Sequence, residues 1–402
     1  MKSEIPKVLH VLCGRPMLAY SLDLLRSLRA SRKIAVLGYK YQEVEKLIPR
    51  GMDIVLQKKL LGSADAVRAA QGALSGFRGT VLILYGDNPL LKSDTVKKLV
   101  KHHIDNNLDA TILCAEALKP DGYGRIVRDK LGNIRRITEE KDADAFVKAI
   151  KEINTGIICF NSVKLFESLR QVRPNNRKKE YYLTDVIGIL YDKGSLIESV
   201  KLSDINEALG INSRQDLAKA NRIMQQRILS DFMKNGVTVI DPETTFIDWG
   251  VKIGRDTVIY PFTVIEKGAR IGKFCLVGPF CHLREGIIVE DNAVIGNFVE
   301  VVRSRIGRNT IAKHFCYLGD SKIGSGVNIG AGVVTANFDG VKKNTTLIKD
   351  KSFIGSDTVL VAPVRLGKKS VTGAGSVVLK GSKVPDGTTV AGVPARIINK
   401  KR

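Results

Sequence analysis

Side chains that could carry out acid–base or metal chemistry are few in this sequence. The segment from residue 237 onwards contains two histidines, His282 and His314. Histidine titrates near neutral pH, so either residue could act as a general base that removes a proton from a reacting amine. Asp87 follows the apolar run TVLILYG, where a carboxylate could hold a divalent cation that bridges phosphates. The same carboxylate could equally cap a helix, so its position alone leaves both interpretations open.

The two histidines lie within a long repeat. An aliphatic residue recurs every six positions, often followed by glycine, in the series 253–301, 306–329 (with one five-residue step) and 348–378. A period of six fits neither a helix nor a single pleated strand. It is typical of a solenoid in which short strands and tight turns form a three-sided coil. The sequence therefore predicts a left-handed parallel β-helix of hexapeptide repeats. The segment 335–346, TANFDGVKKNTT, lacks the pattern and is predicted to be an extruded loop.

The first half of the sequence has a different pattern. Apolar runs at 33–39, 80–87, 110–116 and 155–160 alternate with amphipathic stretches such as 94–106. This alternation predicts an α/β domain with a largely parallel sheet. Residues 213–235 are predicted to form one helix, with Ser213 as its N-cap and Gly236 at its end. The expected domains are therefore 1–212, a linker helix at 213–236, and the β-helix at 237–402.

Composition narrows the function classes. The chain has 402 residues, of which 44% are hydrophobic, so it is long enough for two or three folded domains. Its net charge of +23 favours anionic partners, and phosphorylated small molecules are the partners that we expect. No nucleic-acid-binding motif accompanies the charge, and no apolar stretch is long enough to insert into a membrane. We expect reduced cysteines and a cytoplasmic location.

Short motifs occur along the chain in a specific order. They are PKVLH at 6–10, YGD at 85–87, GYGRI at 122–126, EINTG at 152–156, EYYLTD at 180–185, YLGD at 317–320 and TANFDG at 335–340. Each motif is weak alone. Together they resemble, over essentially the whole chain, the bifunctional N-acetylglucosamine-1-phosphate uridyltransferase and glucosamine-1-phosphate N-acetyltransferase family. The resemblance implies a Rossmann-like nucleotide-sugar transferase domain, a β-helix acetyltransferase domain, a homotrimer, and synthesis of UDP-N-acetylglucosamine.

The resemblance also implies a site for uridylyl transfer in the first half. It assigns binding of UTP and N-acetylglucosamine-1-phosphate to Lys7, Gln57, Gly62, Ser63, Gly124, Glu139, Asn154 and Asn212, and Mg²⁺ to Asp87 and Asn212. Lys7 would contact phosphate and Gln57, Gly62 and Ser63 would hold the uracil. Gly124, Glu139 and Asn154 would hold the amino sugar. The implied reaction is in-line attack on the α-phosphorus of UTP, in which positioning and charge neutralisation provide the catalysis.

A second site, for acetyl transfer, is implied in the β-helix. His314 matches the general base of the family, whereas His282 is interpreted as a surface residue. Glucosamine-1-phosphate binding is assigned to Arg284, Tyr317, Asn328, Asn337 and Lys343, and acetyl-CoA binding to Ser356, Ala374 and Arg396. Acetyl transfer from a thioester to an amine needs a base that works near neutrality, and histidine suits this role.

The sequence departs from the family pattern at three places. The glycine-rich phosphate loop and the strand that carries it precede the PKVLH segment in the family, and Met1 stands where the methionine of that loop would be. We expect either an upstream start or a loss of uridylyl transfer. Val302 replaces the usual lysine, although Arg303 follows it, and Phe338 replaces the usual tyrosine. An alternative is therefore a sugar-1-phosphate nucleotidyltransferase whose β-helix is only a trimerisation scaffold.

Overall fold

The computed structural model describes residues 1–398. The chain separates into two compact units, Met1–Asn221 and a second unit that begins at Arg222. The division falls inside one continuous helix, which spans Arg214–Lys234. None of the helices in the described residues has the length and hydropathy needed to span a lipid bilayer.

The first unit alternates strands and helices. Its elements are β1 (Val11–Leu12), β2 (Arg15–Pro16), α1 (Met17–Ser27), β3 (Ile34–Leu37), α2 (Tyr41–Val44), β4 (Asp53–Leu56), α3 (Ser63–Ala69), β5 (Thr80–Ile83), α4 (Ser93–Asp105), β6 (Ala110–Glu116), β7 (Gly124–Arg128), β8 (Ile134–Thr138), α5 (Ala145–Lys148), β9 (Glu152–Asn161), α6 (Ser162–Leu169), α7 (Asp185–Asp192), β10 (Ile197–Lys201) and α8 (Arg214–Lys234). Short 3₁₀ helices lie at Lys7–Leu9, Glu45–Leu47, Gly72–Leu74 and Ile205–Ala208. The α/β alternation predicted from the apolar runs is confirmed.

The main sheet of this unit is mixed, and the prediction of a largely parallel sheet is wrong. β10 pairs parallel to β6, but β9 pairs antiparallel to β5, β6 and β7, and β7 pairs antiparallel to β8. The three strands that pair with the long strand β9 all run in the opposite direction to it. Alternation of apolar runs reports that a strand is buried on both sides, but it carries no information about strand direction.

Apolar residues cover both faces of this sheet. Ile112 of β6 and Phe160 of β9 pack with helices α6 and α7, whereas Leu113 and Ile157 pack on the opposite face with Leu99 of α4. Neighbouring residues of one strand point to opposite faces, so the continuous apolar runs in the sequence serve two separate clusters. The sheet is therefore a central layer between helices.

One side of this unit is open between two strand edges. β3 and β4 form a separate parallel pair, and β5 has β9 as its partner in the main sheet. A cavity of about 1100 Å³ lies between β3 and β5, with walls from α3 and α4. In the described residues no strand lies between these two edges.

Helix α8 begins with reciprocal capping. The Asp216 backbone N–H donates to Ser213 Oγ at 3.0 Å, and the Ser213 N–H donates back to the Asp216 carboxylate at 2.8 Å. These bonds satisfy backbone donors that the first turn of a helix leaves unpaired. Gly236 follows the helix with φ +86°, a backbone conformation that favours glycine. The predicted N-cap and the predicted end of the helix are confirmed.

The second unit is a three-sided parallel β-helix. Its strands are β11 (Thr238–Val239), β12 (Phe246–Ile247), β13 (Lys252–Ile253), β14 (Val258–Ile259), β15 (Val264–Ile265), β16 (Arg270–Ile271), β17 (Leu276–Val277), β18 (His282–Leu283), β19 (Ile288–Val289), β20 (Val294–Asn297), β21 (Glu300–Val302), β22 (Arg305–Ile306), β23 (Ile311–His314), β24 (Tyr317–Gly319), β25 (Ser321–Ile323), β26 (Asn328–Ile329), β27 (Val334–Ala336), β28 (Thr346–Ile348), β29 (Phe353–Ile354), β30 (Val359–Val361), β31 (Val364–Leu366), β32 (Val371–Thr372), β33 (Val377–Val378), β34 (Lys383–Val384), β35 (Thr389–Ala391) and β36 (Arg396–Ile397). Every third strand belongs to the same sheet, except that β36 pairs antiparallel to β35.

We name the three sheets of the solenoid by their order in a coil. The first face begins with β11 and continues through β14 to β35, the second runs from β12 to β33, and the third from β13 to β34. In the two-residue strands other than β32 and β36, the second residue is the aliphatic residue of the repeat, and it is buried except at Ile253 of β13. The inward residue of β32 is Thr372, and both residues of β36 are exposed. Ile259, Leu283, Ile306 and Leu360, for example, are completely buried. The predicted solenoid with the repeated aliphatic residues inside is confirmed.

Most of the segment that interrupts the repeat, residues 337–345, lies outside the strands. It connects β27 on the second face to β28 on the third, with an isolated bridge between Phe338 and Lys343. The backbone N–H groups of Val341 and Lys342 donate to the Asp339 carboxylate, and Lys380 forms an ion pair with that carboxylate at 3.2 Å. The loop therefore has its own polar framework, while Val341 at its tip is 89% exposed.

The inward and outward residues of one strand should differ sharply in their effect on stability. Leu366 is completely buried, whereas the preceding residue Arg365 is exposed. We expect Leu366→Ala to lower the free energy of unfolding by about 2–5 kcal/mol, because it leaves a cavity in the stack. Arg365→Ala should change it by less than about 0.5 kcal/mol. Denaturant unfolding measures both values, and equal losses would contradict the assigned strand faces.

Candidate active sites

The first candidate site is built around one cation and two oxygen ligands. Lys7, in the 3₁₀ helix near the amino terminus, forms an ion pair with the Asp87 carboxylate. It also donates from Nζ to Asn212 Oδ1 at 2.9 Å. The Ile211 N–H donates to the Asp87 carbonyl at 3.0 Å, which holds the segment before α8 against the end of the β5 segment. Three residues distant in sequence thus meet at one point.

The chemistry of these side chains fits a magnesium ion. A carboxylate and an amide carbonyl already converge on a positive charge, and Mg²⁺ prefers such oxygen ligands. Across residues 1–398, no group of three or more His, Cys, Asp or Glu side chains is arranged to hold a metal. Asp87 and Asn212 would therefore supply the protein ligands, and substrate phosphates and water would complete the shell, as is usual for Mg²⁺.

The residues predicted to hold the uracil are also brought together. Gln57 donates from Nε2 to the Gly62 carbonyl at 3.1 Å and to Asp65 Oδ2 at 2.9 Å. Ser63 Oγ accepts a hydrogen bond from the Leu183 N–H at 3.0 Å. Gly62 has φ +118°, and a Cβ at this position would lie 2.5 Å from the Tyr181 carbonyl oxygen. Only glycine permits this close approach of the two backbone segments.

Gly124, Glu139 and Asn154 form a third group in the same unit. Gly124 of β7 lies opposite Asn154 of β9, and a Cβ on Gly124 would lie 3.5 Å from Glu139 Oε2. Asn154 Oδ1 accepts from the Gly156 N–H at 3.0 Å, which orients its side chain. Gly124 and Asn154 are buried and Glu139 is partly buried, so an amide and a carboxylate that could hydrogen-bond a sugar hydroxyl or amide lie close together here.

Tyr85 of the YGD motif, for which the sequence predicts no role, also belongs to this region. Burial raises the pKa of Tyr85 to about 12, and the Glu139 and Asp87 carboxylates add to that shift. Burial also raises the pKa of Glu139, which accepts a hydrogen bond from Thr184 Oγ1 at 3.0 Å. Tyr85 thus lies close to both Asp87 and Glu139. Its only signal in the sequence is its position in the YGD motif.

Asp185 is the most strongly shifted carboxyl group near this site. Burial raises its pKa from 3.8 to about 6, and the Glu139 and Asp142 carboxylates contribute. Asp185 begins helix α7, directly after Thr184, so the EYYLTD motif places two polar groups beside Glu139. Several carboxyl groups close together favour a protonated form of at least one of them.

The second candidate site lies on the solenoid corner between the first and second faces. His314 ends β23 and lies beside Asn297 of the preceding coil. Its imidazole is exposed, and no hydrogen bond within the described residues involves it. Phe262, Phe280 and Phe298 stack along this corner with ring centroids 4.8 Å apart, and Phe315 continues the column. In the three coils that follow Phe315, the equivalent corner positions are Gly332, Asp357 and Gly375. The column of large side chains therefore ends beside His314.

Ser356 and Ala374 lie on the same corner as His314. The strands β23, β26, β29 and β32 follow one another on the first face, so these residues lie two and three coils beyond the histidine. The Gly375 N–H donates to the Ser356 carbonyl at 2.8 Å. Both side chains are small and exposed, which leaves a shallow groove along the corner. Arg396 is exposed on β36, which pairs with the last strand of the first face.

Tyr317 and Asn337 meet on the second face near His314. Asn337 donates from Nδ2 to the Asp320 carboxylate, and the same group lies 3.4 Å from the Tyr317 hydroxyl. Arg303 forms two hydrogen bonds of 2.7 Å with Asp320, and this guanidinium lowers the pKa of the Asp320 carboxyl. The positive charge of Lys343 on the loop lowers the same pKa. Arg303 thus places a cation in this cluster, while Val302 is buried.

Arg284 directly follows β18 of the second face, in the coil before the one that contains Glu300. Its Nε donates to Glu300 Oε1 at 2.8 Å, and Glu300 is directly opposite Tyr317 on the second face. His282 lies on β18, two residues before Arg284, and its Nε2 is 2.9 Å from Glu266 Oε1. The His282 imidazole is held against a carboxylate, whereas no hydrogen bond within the described residues involves the imidazole of His314.

Asn328 does not lie with the other predicted sugar residues. It belongs to β26 on the first face, whereas Tyr317 and Asn337 lie on or beside the second face. Outward side chains of two faces of one triangular prism diverge. A single chain therefore does not bring Asn328 to the Tyr317 cluster.

Comparison with known proteins agrees with this two-part organisation. Residues 2–226 match the family model described as nucleotidyl transferase. Residues 268–303 match the bacterial transferase hexapeptide (six repeats), and residues 347–380 match the hexapeptide repeat of succinyl-transferase. The chain is therefore a nucleotidyl transferase domain joined to a hexapeptide-repeat transferase domain, and its solenoid is a left-handed β-helix.

Curated relatives match almost the entire length. The bifunctional protein GlmU of Thermosipho africanus (strain TCF52B) is 42% identical over 433 residues, covering 100% of this chain and 93% of the relative. The protein of the same name from Geobacillus sp. (strain WCH70) is 41% identical, with 100% and 94% covered. That of Pelotomaculum thermopropionicum (strain DSM 13744 / JCM 10971 / SI) is 43% identical, with 90% and 87% covered. This chain belongs to the GlmU family.

The pKa of Asp185 predicts a pH dependence of stability. Its folded-state pKa of about 6 lies above the unfolded value of 3.8, so the folded protein retains a proton that the unfolded chain has released. The contribution to the free energy of unfolding is therefore full below pH 3.8 and is lost as the pH rises to about 6. Asp185→Asn should flatten this decline, measured by urea unfolding between about pH 4 and about pH 7.

The control for this experiment lies on the same helix. Asp192 is exposed at the end of α7, so Asp192→Asn should leave the decline unchanged. A wild-type slope in the Asp185→Asn variant would contradict the assignment.

Proposed function

We propose that this chain makes UDP-N-acetylglucosamine in two transfers, one in each unit. The solenoid transfers an acetyl group from acetyl-CoA to glucosamine-1-phosphate. The α/β unit then transfers a uridylyl group from UTP to N-acetylglucosamine-1-phosphate and releases pyrophosphate. The observation that carries the proposal is the occurrence of both residue clusters in one chain of the GlmU family.

His314 is the general base of acetyl transfer in this proposal. The sugar amine attacks the thioester carbonyl, His314 accepts the amine proton, and coenzyme A leaves as its thiolate, which takes up a proton. The free imidazole and the open corner beside Ser356 and Ala374 support this role. Tyr317 and Asn337 would orient the sugar, and Arg284, Arg303 and Lys343 supply positive charge for its phosphate.

Uridylyl transfer needs no protein nucleophile. The phosphate oxygen of N-acetylglucosamine-1-phosphate attacks the α-phosphorus of UTP in line, and pyrophosphate leaves. Mg²⁺ held by Asp87 and Asn212 would neutralise phosphate charge. Lys7 would contribute a second positive charge, the group at Gln57 would hold the uracil, and Glu139 would hold the amino sugar. The convergence of Lys7, Asp87 and Asn212 supports this arrangement.

The separation of Asn328 from Tyr317 supports a homotrimer. If Asn328 contacts the sugar, it must come from another copy whose first face packs against the second face of this one. The outward positions of the first face are uncharged, and Ile311, Phe353 and Leu276 are 36–50% exposed there. Apolar exposed residues in one plane are typical of a surface that a second subunit covers. Six buried free thiols fit the cytoplasmic location that is part of the proposal.

The alternative, a nucleotidyltransferase with the solenoid only as a scaffold, is not favoured. A scaffold has no need of an unpaired histidine beside the Arg303, Asp320 and Asn337 cluster.

The two activities should be separable by single substitutions. His314→Ala should lower kcat for acetyl transfer by about 10²–10⁴-fold, because a positioned general base contributes that factor, and should leave uridylyl transfer unchanged. Asp87→Asn should abolish Mg²⁺-dependent uridylyl transfer and leave acetyl transfer unchanged. Release of coenzyme A and release of pyrophosphate measure the two reactions.

His282→Ala is the matched control for the base, because His282 is the other histidine of the solenoid and is paired with Glu266. It should retain acetyl transfer within a few-fold of wild type. Full acetyl transfer by His314→Ala would rule out His314 as the base.

Mixed trimers test whether Asn328 acts on a neighbouring copy. His314→Ala and Asn328→Ala chains should each be inactive alone, but co-expression should restore acetyl transfer roughly tenfold or more above either parent. One interface would then combine an intact His314 and Tyr317 from one copy with an intact Asn328 from the neighbouring copy. Mixing His314→Ala with Tyr317→Ala should restore nothing, because both residues lie on the same side. No recovery in the first mixture would contradict the shared site.

A further inference from the structure

The third face of the solenoid carries a row of positive charges. Its outward positions, paired from coil to coil in register, are Lys252, Arg270, Ile288, Arg305, Lys322, Leu347, Arg365 and Lys383. Six of these eight positions are cationic and exposed, and none is acidic. We call these six side chains the basic stripe. With neighbouring coils about 4.8 Å apart, the stripe is roughly 34 Å long.

The basic stripe is not a consequence of the high net charge alone. The paired outward positions of the first face are Thr238, Val258, Leu276, Val294, Ile311, Asn328, Phe353, Val371 and Thr389. Those of the second face are Phe246, Val264, His282, Glu300, Tyr317, Val334, Val359 and Val377. Neither face has a lysine or arginine in these positions. The positive charge in the strands is concentrated on one of the three faces.

Little within the chain neutralises the basic stripe. Arg305 is paired with Glu290, with Nε to Oε1 at 2.9 Å. Among the described residues, the other five cations have no carboxylate oxygen within ion-pair distance. The corner between the third and first faces adds cations and carboxylates in a mixture, including Lys349, which pairs with Asp386 at 3.8 Å. Like charges that face each other across a strand pair destabilise a sheet, so the stripe carries a folding cost.

We propose that the basic stripe binds the surface of a membrane that contains anionic lipids, without inserting into it. Three features favour a lipid surface as the partner. The stripe is straight, it lies on a flat sheet, and its cations are long, flexible side chains that reach phosphate groups in a plane. Cations close to an anionic membrane each contribute a small, additive attraction, so six together provide measurable peripheral binding. This inference is independent of the two proposed activities.

The same face is poorly suited to nucleic acid. Sequence reading in duplex DNA requires a helix or ribbon that enters a groove, and a flat face of two-residue strands offers neither. Binding of single strands relies on aromatic side chains that stack with bases, and the two uncharged positions of the face are Ile288 and Leu347. The attraction between these cations and nucleic-acid phosphates is the only contribution that remains, so DNA is included as a competitor in the test.

Vesicle sedimentation with the full-length chain tests the proposal. The vesicles contain phosphatidylcholine alone, or phosphatidylcholine with about one third phosphatidylglycerol. We expect binding to the anionic vesicles only, and its loss when salt is raised from about 0.05 M to about 0.5 M. The triple variant Arg270→Gln, Lys322→Gln, Arg365→Gln should lower the partition coefficient by about a hundredfold, as expected for three cations near the surface.

A second triple variant provides the matched control. Lys98→Gln, Lys148→Gln, Lys164→Gln removes the same charge from exposed positions of α4, α5 and α6 in the first unit. It should bind anionic vesicles within about threefold of wild type, since these lysines lie outside the stripe. Both triple variants should retain acetyl transfer, because none of the six residues belongs to either proposed site. The control should keep its melting temperature, and the stripe variant should melt no lower than wild type, because it loses like-charge repulsion.

Three results would overturn the proposal. The first is equal binding to neutral and anionic vesicles, or no binding to either. The second is an equal loss in both triple variants, which would make net charge the cause instead of the stripe. The third is tighter, salt-sensitive binding to random-sequence duplex DNA that removes the protein from anionic vesicles at equal phosphate concentration. If the stripe variant melts early, the single variant Arg365→Gln, with an expected loss of several-fold, replaces it.

Discussion

Hydrogen bonding between successive coils of the solenoid is the constraint on which the second unit depends. Each strand pairs in parallel with the strand three elements later, for example Val258 with Leu276, eighteen residues apart. A residue type therefore recurs in a column along the axis. The columns approach so closely that a Cβ on Gly296 would lie 2.2 Å from the Lys313 carbonyl oxygen. Inward columns must be aliphatic, and certain corner positions must be glycine.

The same register creates the surfaces on which function depends. On one corner, the aromatic column ends at Phe315 and is followed by Gly332 and Gly375, which opens a groove beside His314. The extruded loop leaves the stack after β27, the strand that follows Asn328, and places Asn337 and Lys343 beside Asp320. A rigid repeat thus supplies the positions, and departures from the repeat supply the polar side chains.

The α/β unit also brings polar side chains together, but it does so by a different structural feature. Its polar groups lie where apolar strands end and where loops meet, so Lys7, Asp87 and Asn212 come from the beginning, middle and end of the unit. Partial burial strengthens the interactions among Tyr85, Glu139 and Asp185, and it raises all three pKa values. The α/β unit therefore groups its charged side chains in partly buried regions, whereas the solenoid has its charged side chains along its outer faces.

The sequence by itself determined the solenoid, its aliphatic interior, the interrupting loop and the cap of helix α8, because each follows from local periodicity or from a bond between near neighbours. Through ordered motifs it also predicted residues for both candidate sites. Only the tertiary structure decided the reversed direction of β9, the pairing of Arg303 with Asp320, and the placement of Asn328 on a different face from Tyr317. These features depend on which distant segments pack together, and spacing along the chain does not encode the direction or the face on which they meet.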